Sequence, residues 1–165
     1  MNIIEKDIWD DFEELDCLLF TANSFIKNDK SLAMGRGIAK EVKDKFPGID
    51  KEFGEIIMST LYSNDSKRLH RSEYDTVKKD FSKFGLIVLG KIGAFQTKYH
   101  FKYKSELSLI EFSISMLDVY ARDNPDKLIG LTFPGINYGK LSEEDVLPFL
   151  ETLPDNVRVY KYAVC

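Results

Sequence analysis

Two glycines one residue apart, in Met34-Gly35-Arg36-Gly37-Ile38-Ala39, stand directly before a stretch whose apolar positions Ile38, Ala39, Val42 and Phe46 keep the spacing of one helical face. A glycine loop that opens a helix converges backbone N–H groups and the positive end of the helix dipole on one small volume. Gly35 and Gly37 keep side chains out of that volume. Such a junction can seat a phosphate, and the same pattern also serves as plain turn chemistry. A second stretch repeats the design. Residues 128–133 read as a buried strand running into Pro134-Gly135-Ile136-Asn137-Tyr138-Gly139, and a helix then starts at Ser142 with Glu143, Glu144 and Asp145 in its first turn. Two helix-start loops at one sheet edge can hold a diphosphate from both sides.

Other candidates stand at segment ends. Asp7-Ile8 follows the first apolar segment, and Thr21-Ala22-Asn23 closes the run 15–20 at the end where open α/β sheets bind ligands. Asparagine offers an amide that donates and accepts without carrying charge. Lys98 and His100 lie in a basic, aromatic loop, Lys98-Tyr99-His100-Phe101-Lys102-Tyr103-Lys104, which pairs an amine with an imidazole able to act as acid or base near neutral pH. Each has a plain alternative. Asp7 can be a turn residue, Asn23 a cap for the connector after it, and Lys98 with His100 part of a solvated basic loop. Tyr138 is either a packing residue or a ring offered to a ribose. His70, Asp16, Asp80 and Asp118 have no partner in the sequence that would make them functional.

The elements that must position these residues alternate along the chain. Residues 2–5 read as an edge strand, 9–14 as a crossing, and 15–20 as a strand buried on both faces. A polar connector over 25–30 leads to the first glycine loop and a helix through 45, stopped by Phe46-Pro47-Gly48. Residues 52–62 suggest a short helix and strand, and the charged stretch 63–83 a surface excursion. Residues 85–91 and 92–97 read as two strands with a tight turn around Gly93. A helix over 105–122 carries Ser105 at its start and an apolar stripe of Leu109, Phe112, Ile114, Met116, Leu117 and Tyr120. The acidic helix extends to about 153, and 156–164 closes as a strand. The pattern predicts one α/β domain over 1–165 with a mixed sheet between helices.

Composition is ordinary for a globular chain: 165 residues, 44% hydrophobic and 30% charged. A net charge of −4 with interspersed signs argues against an extended nucleic-acid surface, while one bound nucleotide stays compatible with it. No long apolar run or hydrophobic leader core is present, so a membrane partner is not expected and a cytoplasmic location is. Two cysteines, Cys17 and Cys165, make neither a disulfide framework nor a zinc motif, and no metal or cofactor is expected.

Taken in order, Asp7-Ile8, Leu18-Leu19-Phe20-Thr21-Ala22-Asn23, Met34-Gly35-Arg36-Gly37-Ile38-Ala39 and the loop from Pro134-Gly135 to Gly139 resemble the macro domain family over nearly the full length. Met-Gly-Arg-Gly-Ile-Ala with Phe-Pro is most similar to the compact phage and bacterial branch of ADP-ribose 1''-phosphate phosphatase-like proteins, which is related to the ADP-ribosyl glycohydrolases. A phage-encoded chain of this branch would act in the host cytoplasm. The resemblance implies a three-layer α/β/α fold with a mixed central sheet and an ADP-ribose site.

Position by position, the resemblance gives Asp7 the adenine amino group, with the backbone of Ile8 beside it. It gives Asn23, at the Thr21-Ala22-Asn23 strand end, the distal ribose. Met34, Gly35, Arg36, Gly37 and Ile38 would line the distal ribose and diphosphate, and Pro134, Gly135, Ile136, Asn137, Tyr138 and Gly139 would wrap the diphosphate from the other side. Lys98 falls where the glycohydrolase branch places a lysine that attacks or polarises C1''. Lys98-Tyr99-His100-Phe101 resembles the Lys-His-x-Trp of the phage branch with Tyr99 interposed. In the lysine-using glycohydrolases an acidic residue stands in the second glycine loop, and at the matching position this chain has Gly139. The expected activity is therefore removal of phosphate from ADP-ribose 1''-phosphate, with Asn23, Lys98 and His100 as catalytic candidates. The alternatives are a glycohydrolase acting on an ADP-ribosylated protein or nucleic acid, and a module that binds or sequesters ADP-ribose without turnover.

Overall fold

The computed structural model describes residues 1–64 and 83–161. Its frame is a sheet of six strands among the described residues, β1 (Asn2–Glu5), β2 (Cys17–Ala22), β3 (Leu86–Leu89), β4 (Ile92–Gln96), β5 (Ile129–Thr132) and β6 (Val157–Lys161), in the order β1-β6-β5-β2-β4-β3. Neighbours run parallel except β3 against β4, which makes the sheet mixed as expected. The run read as a doubly buried strand becomes β2 at the centre. Leu18 and Phe20 pack on one face, with Ile8, Leu32, Val42, Phe53 and Ile57. Cys17 and Leu19 pack on the other, with Ile110, Ile114, Leu117, Val146 and Val159. Alternation along a pleated strand thus feeds two cores. The first core is covered by α1 (Gly37–Lys45) and α2 (Ile49–Asn64), and the second by α3 (Leu107–Asp123) and α4 (Glu143–Leu150). The result is a three-layer α/β/α arrangement. Burial at Cys17 pushes its thiol up to about 12, which leaves it a core residue.

Four local expectations are corrected. Residues 52–62 belong to one helix, α2, in which Ile49, Phe53 and Ile57 repeat every four residues toward the core. The apolar run around Ile56, Ile57 and Met58 imitates a strand. Gly54 is a packing device: a Cβ there would collide with the carbonyl oxygen of Lys30 and lie 3.1 Å from the amide of Leu32. The backbone of α2 therefore lies directly against residues 30–32, and Leu32 N donates to Asp50 O at 2.9 Å. Second, the β3–β4 turn is Gly90-Lys91, with Gly90 at φ +63, and Gly93 sits inside β4. A Cβ at Gly93 would lie 2.5 Å from Leu19 Cδ2, so that glycine lets Leu19 cross β4.

Third, Ser105 does not cap α3. The capping position is Glu106, without a side-chain cap bond, and the buried stripe is Leu109, Ile110, Ser113, Ile114, Leu117 and Ala121. Fourth, α4 ends at Leu150 rather than near 153, while its Ser142 cap forms as expected, accepting from Asp145 N. The excursion read at 63–83 lies, from 65 to 82, outside the described residues, as do His70, Asp80 and the end of the closing strand, 162–165.

Candidate functional site

A cleft of about 800 Å³ opens along the carboxyl ends of β2, β4 and β5, walled by the two glycine-containing loops. Strand order fixes the sequence of groups along it. Asp7 follows β1 at one end, Thr132 and Phe133 end β5, Ala22 and Asn23 end β2, and Thr97 and Lys98 follow β4 at the other end.

At the β1 end, Asp7 caps a short 3-10 helix, Ile8–Asp11, through Oδ1, which accepts from Trp9 N at 3.0 Å. Ile8 is buried beneath it. Behind this end lies a charged cluster that the sequence reading missed. Tyr160 of β6 donates its hydroxyl to Asp11 Oδ2 at 2.7 Å, and Lys6 Nζ meets Asp11 Oδ1 at 2.5 Å. Arg158 approaches Asp11 at 3.7 Å. The Lys6 bond, then the Tyr160 bond, hold the Asp11 carboxyl below its usual range, and burial pushes the Tyr160 hydroxyl up to about 12. Lys6 and Tyr160 both line the cleft. In sequence, Tyr160 is one of several alternating strand residues, and the alternation gives its face without its hydroxyl's partner.

In the middle, Asn23 is 8% exposed and locked by its own amide: Nδ2 donates to Ala33 O at 3.0 Å and Oδ1 accepts from Phe25 N at 2.9 Å. It therefore shapes the connector and also lines the cleft. One amide hydrogen and one lone pair remain beyond these bonds. Thr21, Ala22, Met34, Gly35, Arg36, Gly37 and Ile38 line the cleft beside it. Gly37 opens α1 at φ +55, and Arg36 caps the helix without a side-chain bond, so no side chain occupies the first N–H groups of α1. A Cβ at Gly35 would meet nothing within 4 Å, so packing does not demand glycine there and its bareness widens the cleft.

The second loop is drawn tight by Leu141 N donating to Gly135 O at 2.8 Å. Gly135 takes φ +84, and a Cβ there would come within 2.7 Å of Ile110 Cδ1. Gly135, Ile136, Asn137, Tyr138 and Gly139 all line the cleft, whereas Pro134 does not. Asn137–Gly139 forms a 3-10 turn that lifts Tyr138 to 59% exposure, and the Arg36 guanidinium lies 5.4 Å from the Tyr138 ring centre. The loops thus touch across the mouth.

At the β4 end, Lys98 lines the cleft and its Nζ reaches Phe101 O at 3.4 Å. Burial first, then the cations Arg36 and Lys140, lower the pKa of this amine below that of an ordinary lysine. His100 is not brought to the cleft. Its ring packs 4.5 Å from Phe25, 4.4 Å from Phe101 and 5.0 Å from Tyr103, and its Nδ1 accepts from Lys102 N at 3.1 Å. The expected acid or base is a member of an aromatic cluster beside the site. Thr97, Phe101 and Thr132 join the lining without having been singled out in the sequence, as does Ser105, which the sequence offered only as a helix start. A side chain at Gly139 would fall on Ser105 Oγ, so the space a carboxylate at 139 needs is already filled.

No family model matches the sequence, and no curated protein matches it. Solved structures do. The macrodomain of Mycobacterium tuberculosis DarG shares 18% identity at a TM-score of 0.65, with 99% of this chain and 97% of that one covered. Thermosipho africanus DarTG, solved in complex with ADP-ribose, shares 19% identity at a TM-score of 0.61, with 96% of this chain and 40% of that one covered. A macrodomain protein from Streptomyces coelicolor follows at 12% identity and a TM-score of 0.53, with 98% and 99% covered. At these identities the likeness establishes the fold: the chain is built as a macrodomain.

Proposed function

We propose that this macrodomain binds ADP-ribose along the cleft and hydrolyses a bond at C1'' of its distal ribose. The observation that carries the reading is the ordered chemistry of the cleft. An acceptor at Asp7 and an amine at Lys98 stand four strand intervals apart, about 19 Å, with both helix-start loops between them. Asp7 suits an exocyclic adenine amine, the first N–H groups of α1 and the turn Asn137–Gly139 suit a diphosphate, and the remaining donor and acceptor of Asn23 suit a ribose. The complex of Thermosipho africanus DarTG with ADP-ribose supports the choice of ligand.

The cleft-lining position of Lys98 supports a reacting bond at its end of the cleft. Burial and two neighbouring cations leave this amine uncharged more often than an exposed lysine, and an uncharged amine is a nucleophile. Its attack on C1'' forms a carbon–nitrogen bond as the leaving group departs with the bonding pair and gains a proton. Water then releases the sugar from the lysine. With Gly139 in place of an acid and His100 outside the cleft lining, the chemistry in this reading rests on Lys98 and solvent water.

Two leaving groups are favoured by different observations. Beyond Lys98 the rim carries Phe101 at 42% and Tyr103 at 49% exposure, beside Lys102 and Lys104, which suits an ADP-ribosyl bond to a macromolecule and a glycohydrolase. The convergence of Lys98, Arg36 and Lys140 suits a 1''-phosphate and the phosphatase favoured by sequence alone. The test is calorimetric titration with ADP-ribose, ADP and AMP, followed by incubation with ADP-ribosylated protein, ADP-ribosylated DNA and ADP-ribose 1''-phosphate. Release from a macromolecule that vanishes in Lys98→Ala supports the glycohydrolase. Phosphate release alone supports the phosphatase, binding without release a sequestering module, and failure to bind ADP-ribose refutes the reading.

A further inference from the structure

Among the described residues, two buried side-chain polar atoms have no hydrogen-bond partner, Ser105 Oγ and Thr132 Oγ1, and both residues line this one cleft. An unpartnered buried hydroxyl is costly, so two of them in one cavity point to a polar molecule that satisfies them when bound. Ser105 is 2% exposed. Its backbone is pinned, with its N donating to Gly139 O at 2.9 Å and the next residue's N donating to Thr97 O at 3.0 Å. Only the hydroxyl rotor is free to meet a ligand. A Cβ at Gly139 would fall on that hydroxyl, so the second loop is bare where Ser105 enters the cleft.

We infer that Ser105 is a ligand-binding residue that reads the distal ribose, its hydroxyl bonding a ribose hydroxyl at the Lys98 end, while Thr132 Oγ1 bonds the ligand nearer the middle. The inference rests on the ADP-ribose reading of the cleft. The topology separates the two roles. Thr132 ends β5, opposite Tyr160 in register, two strands from β4, whereas Ser105 is tied to the exit of β4 through Glu106 and Thr97. ADP seated from Asp7 lacks the distal ribose and would reach Thr132 without reaching Ser105.

The experiment titrates ADP-ribose and ADP into the wild-type protein, Ser105→Ala and Thr132→Val, with the melting temperature of each ligand-free protein alongside. Ser105→Ala is expected to weaken ADP-ribose about 3- to 10-fold and leave ADP within twofold, and Thr132→Val to weaken both. The melting temperature of ligand-free Ser105→Ala is expected to be no lower than that of wild type, because an unpartnered hydroxyl holds nothing in the empty fold. Unchanged ADP-ribose affinity in Ser105→Ala, with wild type binding, overturns the inference and spares the ADP-ribose reading. A lowered melting temperature or a failure to fold also overturns it by showing the hydroxyl to be structural. A wild-type protein that does not bind ADP-ribose removes both.

Discussion

Replacing Tyr160 by phenylalanine removes one hydroxyl from the buried cluster behind Asp7 and keeps the ring. That hydroxyl donates to Asp11 Oδ2 at 2.7 Å, and Asp11 is only 8% exposed. Hydrogen bonds to charged groups contribute roughly 1.5–3 kcal/mol. Asp11 keeps its bond to Lys6 and has Arg158 at 3.7 Å, so the lower part of that range, about 1.5–2 kcal/mol, is expected. For a chain of 165 residues this corresponds to a fall in melting temperature of about 3–8 °C at pH 7. The pH dependence has a definite sign. Lys6 first, and Tyr160 second, depress the folded pKa of Asp11, so the stability they supply is complete above the unfolded carboxyl value of about 3.9 and is lost as pH falls through the folded one. The deficit of Tyr160→Phe is therefore full at neutral pH and shrinks below about pH 4. Calorimetric melting of both proteins from pH 7 to pH 3 measures it. Equal melting temperatures at pH 7, or a deficit that persists undiminished in acid, would refute the bond to an ionised Asp11 as its source.

Three further outcomes follow from the same geometry. Gly54→Ala should cost about 2 kcal/mol in urea unfolding, because the clash with the Lys30 carbonyl outweighs the gain in helix propensity, and a variant as stable as wild type would sink the packing role. Gly37→Ala should cost about 1–2 kcal/mol, seen as a lower urea midpoint, since φ +55 strains alanine while its Cβ only just meets the Tyr138 ring at 4.0 Å. If the uncharged Lys98 amine is the nucleophile, single-turnover rate should rise with pH through a value below that of an ordinary lysine. Arg36→Gln, by removing a neighbouring cation, should move that inflection upward and slow the reaction at neutral pH, and a profile indifferent to Arg36 counts against this chemistry.

The fold was legible wherever burial writes itself into composition. The apolar run at β2, the glycine loop before α1 and the Ser142 cap of α4 are local patterns with local causes. The readings that failed depend on a partner far along the chain. The stretch 52–62 looks like a short helix and strand until its helix is seen packed through Gly54 against residues 30–32, and Gly93 looks like a turn until Leu19 crosses it. At the site, loop glycines and strand-end residues announced themselves through backbone chemistry. Side-chain direction did not: His100 turns into the ring cluster of Phe25, Phe101 and Tyr103, while Ser105, readable as a helix cap, enters the cleft. The Asp11–Tyr160 pair joins residues 149 positions apart, and no local pattern carries that information.

The pairing of β1 with β6 also sets a clock. Asn2 lies opposite Arg158, so β1 finds its neighbour only after about 150 further residues have been made. At 5–20 residues per second that wait is roughly 8–30 s, during which β2, β4 and β5 can assemble around their shared core. The wall at the Asp7 end of the cleft thus joins residues from both ends of the described fold, Asp11 and Tyr160.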